Sequence, residues 1–151
     1  MLWLNFLHFY QPATAEKETI VAAITKSYTR ITKALLKNPQ INFTVNISGC
    51  LLEKINEFGY QALLDSWRKL AQRGQLELAG TAAYHPLLPL IPLDEAAKQI
   101  KLQEELLRKY IGEFRGRGFF LPEMAYSPAI ARLIKKLGYE WLILDEISGS
   151  K

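Results

Sequence analysis

Short apolar runs alternate with longer amphipathic stretches along the whole chain, and this alternation limits the fold more than any other feature. The runs Leu2–Leu7, Ile41–Ile47, Gln75–Ala79, Gly118–Leu121 and Glu140–Leu144 have the length and apolar density of buried strands. Between the first two, Ile20, Ile24, Tyr28, Ile31 and Leu35 recur at three- and four-residue spacing, and Asn38-Pro39 stops the helix they define. Leu63, Trp67 and Leu70 mark a second helix, ended by Gly74. Gly59 separates it from Cys50–Phe58, so this connection has room for two helices. Ala96, Ile100, Leu107, Tyr110 and Phe114 mark a third, with Asp94 expected as its N-cap and Glu95 in its first turn. A fourth carries Ile130, Ile134 and Leu137, with Ser127 as N-cap, Pro128 at the first helical position and Gly138 at the end. Crossovers of this length join parallel strands, so the expected class is α/β: one parallel sheet of five strands built from βα units. A chain of 151 residues without a linker or repeat reads as a single domain, residues 1–151.

Charge and cysteine usage narrow the function classes. The formal net charge of +4 comes from lysines and arginines scattered over helices, not from a dense block, which argues against nucleic acid as a partner. The single Cys50 cannot form an internal disulfide and reads as a buried thiol in a reducing compartment. Two histidines and one cysteine supply a structural zinc site poorly, so no metal and no cofactor are expected. The apolar start from Met1 to His8 lacks a basic leader and is too short to cross a bilayer. It reads as a strand, giving a cytoplasmic protein with no membrane partner as the expectation.

Right-handed crossovers bring every strand's C-terminal end to one edge of the sheet, where parallel α/β proteins build their sites. At those ends stand His8 with Tyr10, Gln11 and Pro12; Asn46 with Ser48; Glu77 through His85; Glu123; and Asp145-Glu146. A lone loop glutamate is ordinarily a solvated charge. Glu123 differs because a strand before it and a capped helix after it fix its place, and four other strand ends deliver polar groups to the same edge. Glu77 alternates with Leu76 and Leu78, so it faces away from them. The stretch Gly80–Pro92 holds three prolines and no helical period, and reads as a stiff apolar loop presenting Tyr84 and His85. Phe9, Tyr10, Tyr84 and Tyr126 lie near the proposed edge. Trp3, Phe6, Phe43, Trp67 and Trp141 sit at core-like positions.

Three segments resemble motifs of glycoside hydrolase family 57, which acts on α-glucans. Leu7-His-Phe-Tyr-Gln-Pro12 is similar to its first motif. Gly74-Gln-Leu-Glu-Leu-Ala-Gly80, running on to His85-Pro86, is similar to the second, and Phe119-Phe-Leu-Pro-Glu-Met-Ala-Tyr-Ser127 to the third. Gly138–Glu146 resembles the strand that follows in the same family. The resemblance implies a seven-stranded (β/α) barrel, of which these five strands would be the N-terminal portion. It maps the nucleophile onto Glu123 and substrate contacts onto His8, Tyr10, Gln11, Glu77, Tyr84 and His85. Tyr10 departs from the pattern, because the family commonly has a histidine there.

The expected activity is therefore that of a retaining α-glycosidase or α-glucanotransferase, with an α-glucan or oligosaccharide as substrate. A retaining mechanism needs a second carboxyl group, and the family's aspartate for that task belongs to a later motif than any found before Lys151. The 151 residues alone are then expected to be inactive. Two other readings compete. A non-catalytic sugar-binding module could cover open sheet edges by homo-oligomerisation. A metal-dependent polysaccharide deacetylase of related fold would need an Asp/His/His set that the histidine spacing disfavours.

Overall fold

The computed structural model describes residues 4–149. Strands β1 (Phe6–Phe9), β2 (Phe43–Ile47) and β3 (Leu76–Ala79) pair in parallel in that order, and β4 (Gly118–Phe120) pairs in parallel with β5 (Trp141–Ile143). The two groups join where Gly80 bridges Phe119: Gly80 N donates to Gly118 O and Phe120 N to Gly80 O, both at 2.8 Å. The five strands thus run in sequence order, as the alternation predicts. The expected first strand begins later and runs further, since β1 starts at Phe6 and includes His8 and Phe9; Leu2 and Trp3 lie outside the described residues.

The connections are helical. Helices α1 (Lys17–Ala23) and α2 (Thr29–Lys37) are continuous through a π-helical turn at Ile24–Tyr28, followed by α3 (Gly49–Glu57), α4 (Gln61–Gln72), α5 (Leu93–Tyr110), α6 (Pro128–Lys136) and the short α7 (Glu146–Gly149). None of these is long and apolar enough to cross a membrane. The expected caps hold at α6, where Ser127 Oγ accepts from Ile130 N at 3.3 Å and Gly138 takes φ 97°. They fail at α5. That helix starts at Leu93 after Pro92, which puts Asp94 inside the first turn, and it ends at Tyr110, leaving Phe114 buried in the loop beyond.

Period-two alternation divides the sheet into two faces. Phe9, Val45, Ile47, Leu76, Leu78 and Phe119 point to the helices and are buried with Ile20, Ile24, Leu64, Trp67 and Ile100. The opposite face carries Phe6, His8, Thr44, Asn46, Glu77 and Phe120, in register as Phe6–Thr44–Glu77 and His8–Asn46–Ala79. In a flat sheet, β1 and β4 would stand roughly 14 Å apart, three strand spacings. Instead the Phe6 and Phe120 rings lie 5.4 Å apart, and those of His8 and Phe120 4.7 Å. The sheet is curled about its polar face, as part of a barrel wall is.

Tight packing at the joint between β3 and β4 keeps that curl. Tyr139 lies edge-on to Phe119 at 5.0 Å and donates from Oη to Glu104 Oε1 at 2.9 Å. It fills the space over Gly80, where an added Cβ would come within 2.5 Å of Tyr139 Oη. Behind the strand ends, the buried Gln103 of α5 accepts from Gly49 N at 2.6 Å and donates to Ile47 O at 2.8 Å, tying α5 to the end of β2 and the start of α3. Gly80→Ala should destabilise the protein by about 1–3 kcal/mol through overpacking. Urea unfolding checks this, and trimming Tyr139 to Leu in the same chain should recover part of the loss.

Candidate active site

The site grows from the curl, which brings the C-terminal ends of β1 and β4 and the loop after β3 together. His8 is on the inner face of β1, and its Nδ1 meets Asn46 Oδ1 of β2 at 2.7 Å on the same rung. An amide oxygen only accepts, so His8 Nδ1 carries the hydrogen and Nε2 is left as an acceptor. Beyond Gly80, the chain is pinned by Cys50 N donating to Ala83 O (2.9 Å) and Ala83 N to Gln99 O (3.2 Å). It then turns sharply at His85, whose φ is 57°. The His85 ring stacks on Tyr10 at 4.1 Å and on His8 at 5.1 Å, leaving its side chain 2% exposed. Its Nε2 lies 3.1 Å from Glu123 Oε1.

Glu123 occupies the 3₁₀ turn Pro122–Met124 that follows β4, closed by Met124 N donating to Leu121 O (2.8 Å) and Ala125 N to Pro122 O (3.0 Å). Both Glu123 (φ 55°) and Met124 (φ 53°) are left-handed. With His85 they are the three non-glycine residues of positive φ among those described, and all three belong to this cluster. Such backbone costs on the order of 1 kcal/mol or more per residue, and its concentration at one place is a mark of function. The Glu123 side chain is 68% exposed, so the carboxylate is held from beneath and open above.

Burial pushes the pKa of both histidines down, against hydrogen bonding from Asn46 to His8 and from Glu123 to His85; the charge of His8 lowers His85 further. Burial also raises the Tyr10 hydroxyl. The site at neutral pH therefore sets two neutral imidazoles and a neutral phenol beside Glu123. That arrangement suits attack on, or stabilisation of, a positively polarised carbon. No group of three or more His, Cys, Asp or Glu that could hold a metal ion occurs among the described residues.

Of the residues expected at the site, His8, Tyr10, His85 and Glu123 come together. Glu77 shares the inner face one rung below His8, roughly 7 Å along the strands, and accepts from Thr44 Oγ1 at 3.0 Å. Gln11 is engaged elsewhere, its Nε2 donating to Tyr28 Oη at 3.3 Å, while Tyr28 Oη donates to Tyr10 O at 3.1 Å. Tyr84 turns to α3 and donates to Glu53 Oε2 at 2.7 Å. Phe9, expected near the edge, is core: it is on the outer face, 4.7 Å from Tyr28 and 5.5 Å from Trp67. Sequence reasoning underrated Asn46 and Phe120, which orient His8. The alternation Val45-Asn46-Ile47 already placed Asn46 opposite two core residues.

A parallel (β/α) sheet with a carboxylate at its C-terminal edge and a polar inner face defines a class of barrel-wall proteins. The family follows from comparison: the family model for glycosyl hydrolase family 57 matches residues 3–150, and the chain belongs to that family. It is 31% identical over 146 residues to an alpha-amylase of Pyrococcus horikoshii, covering 95% of this chain and 23% of that protein. It is similar in structure to a 4-alpha-glucanotransferase of Thermococcus litoralis, with a TM-score of 0.88 and 29% identity over 94% of this chain and 22% of that one. A family 4 carbohydrate esterase of Bacillus subtilis shares the fold alone, at a TM-score of 0.66 and 16% identity over 93% of this chain and 50% of that one. The chain thus spans under a quarter of the length of these two family 57 relatives.

The lowered histidine pKa values make stability depend on pH. Unfolded histidine titrates near 6.5, and the folded values lie below that. Between the two the unfolded chain binds more protons, so this contribution is complete above about pH 6.5 and is lost as pH falls through the folded values. Thermal midpoints at pH 7.5 and 5.5 should show a smaller acid-induced drop for His85→Gln than for the wild type.

Proposed function

We propose that residues 1–151 carry the nucleophile side of a retaining α-glucan hydrolase or glucanotransferase, as the N-terminal portion of its catalytic (β/α) barrel. The observation that carries this reading is the placement of Glu123: a carboxylate on a left-handed turn at the end of an inner strand, braced by a buried imidazole and open on its outer side. The family assignment, together with relatives named alpha-amylase and 4-alpha-glucanotransferase, supports the substrate class.

In this reading Glu123 attacks the anomeric carbon from the sheet's polar side as the glycosidic bond breaks, forming a covalent glycosyl-enzyme. Water or an acceptor sugar hydroxyl then releases the sugar. His8 Nε2, left as an acceptor, and the Tyr10 hydroxyl are placed to hold sugar hydroxyls, with Glu77 one rung deeper. Retention requires a second carboxyl about 5–5.5 Å from the first to protonate the leaving oxygen. Glu77 already accepts from Thr44 on the rung below. The family resemblance assigns the acid/base to a later motif, in keeping with relatives more than four times as long. A substrate of many hydroxyls, with neither phosphate nor net charge, agrees with a site of neutral imidazoles.

Glu123→Gln in the intact protein should lower turnover of maltooligosaccharides about 10³-fold or more, while circular dichroism and the thermal midpoint stay near the wild type. Turnover within a few fold of the wild type would remove Glu123 from the chemistry.

A further inference from the structure

We infer that His85 is a positioning residue for Glu123 and not a substrate contact: it binds Oε1 and thereby leaves Oε2 as the oxygen that attacks. The inference rests on the reading of Glu123 as nucleophile. Three observations on His85 support it. Its side chain is 2% exposed and packs against the rings of Tyr10 at 4.1 Å and His8 at 5.1 Å, so little of it is open to a sugar. Its one hydrogen-bonding reach is Nε2 to Glu123 Oε1 at 3.1 Å, since Nδ1 is buried without a partner among the described residues. A carboxylate accepts only, so Nε2 carries the hydrogen. Protonating Nδ1 would bury an unpaired N–H, which keeps the ring neutral.

The backbone adds a reason for the brace. His85 and Glu123 sit on separate loops, each left-handed, and Glu123 is followed by a second left-handed residue. A turn of that kind, carrying a side chain 68% in solvent, has little else to fix its rotamer. The hydrogen bond links the two strained loops across the C-terminal edge and holds the carboxylate with one oxygen occupied. Attack through Oε2 then forms the bond to the anomeric carbon while the leaving group departs with the electron pair of the old bond, and His85 keeps its proton throughout.

Trapping of Glu123 by an α-glucosyl fluoride bearing fluorine at C5 tests the inference without requiring the general acid, because fluoride leaves with the C–F pair. In the intact protein, His85→Ala should lower the maximal labelling rate about tenfold or more, with the half-saturation constant within twofold of the wild type. His85→Gln, which can still donate, should recover part of the rate. His85→Asn accepts positive φ but is too short to reach Glu123, and it should behave like alanine if the alanine variant folds poorly. In the 151-residue chain, ¹⁵N spectra should find the His85 proton on Nε2. Equal labelling of wild type and His85→Ala, or the proton on Nδ1, overturns the positioning role while leaving the nucleophile in place. No labelling of Glu123 in the wild type overturns both.

Discussion

The structure depends on the curl that the sheet takes where β3 meets β4. Two backbone hydrogen bonds at Gly80 continue a three-stranded sheet into a two-stranded one, and the absence of a side chain there lets Tyr139 close over the joint. Without that continuity, β1 and β4 would be strands of separate sheets, and Phe120 would not reach His8. Everything at the polar edge follows from it. His8 is packed by Phe120, His85 is stacked on His8 and Tyr10, and Glu123 is hydrogen-bonded to His85. The outer face makes the complementary demand. Val45, Ile47, Phe119 and Trp67 are almost wholly buried, so no strand can slip by one residue without exchanging core for site.

The curl also sorts the inner face by depth. Phe6, Thr44 and Glu77 form a rung below His8, Asn46 and Ala79, and the loops that carry His85 and Glu123 lie above both. A ligand at the upper level meets stacked aromatic rings and hydrogen-bond acceptors, whereas the lower level offers a hydroxyl–carboxylate pair already satisfied within itself. In the proposed reading a sugar occupies the upper level, since its hydroxyls can meet acceptors and its C–H faces can stack on rings.

Much of this was legible in the sequence, because binary pattern decides strand and helix identity and strand order follows from short right-handed crossovers. All five strands and the caps of α6 could be read in this way. Misses arose where tertiary packing chose between local options. Asp94 is a good N-cap, but Pro92 already has the extended backbone that opens a helix, so α5 begins two residues earlier. Phe9 follows His8 by one residue and therefore faces the opposite side of the strand, which an edge position in sequence does not reveal. Gln11 Nε2 and the Tyr84 hydroxyl meet Tyr28 and Glu53, contacts that spacing in the sequence does not show. At Glu123 the motif gave the place, while the left-handed turn and the buried imidazole beneath it had no signature in spacing or composition.

The first crossover carries a consequence of its own. Its buried stripe is Ile20, Ile24, Tyr28, Thr32 and Leu35, with Thr32 taking the place expected for Ile31. Successive four-residue steps overshoot a regular α-helical turn by about 40° each, so a stripe of this spacing should wind off the core. The wider π turn at Ile24–Tyr28 absorbs the excess. It keeps Tyr28 against Trp67 while aiming its hydroxyl at Tyr10, and sets Thr32 to accept from Trp67 Nε1 at 2.8 Å. The helix behaves as two cogs keyed one tooth out of phase: shortening this stretch by a single residue would restore ideal winding and in doing so detach the rim from its own foundation.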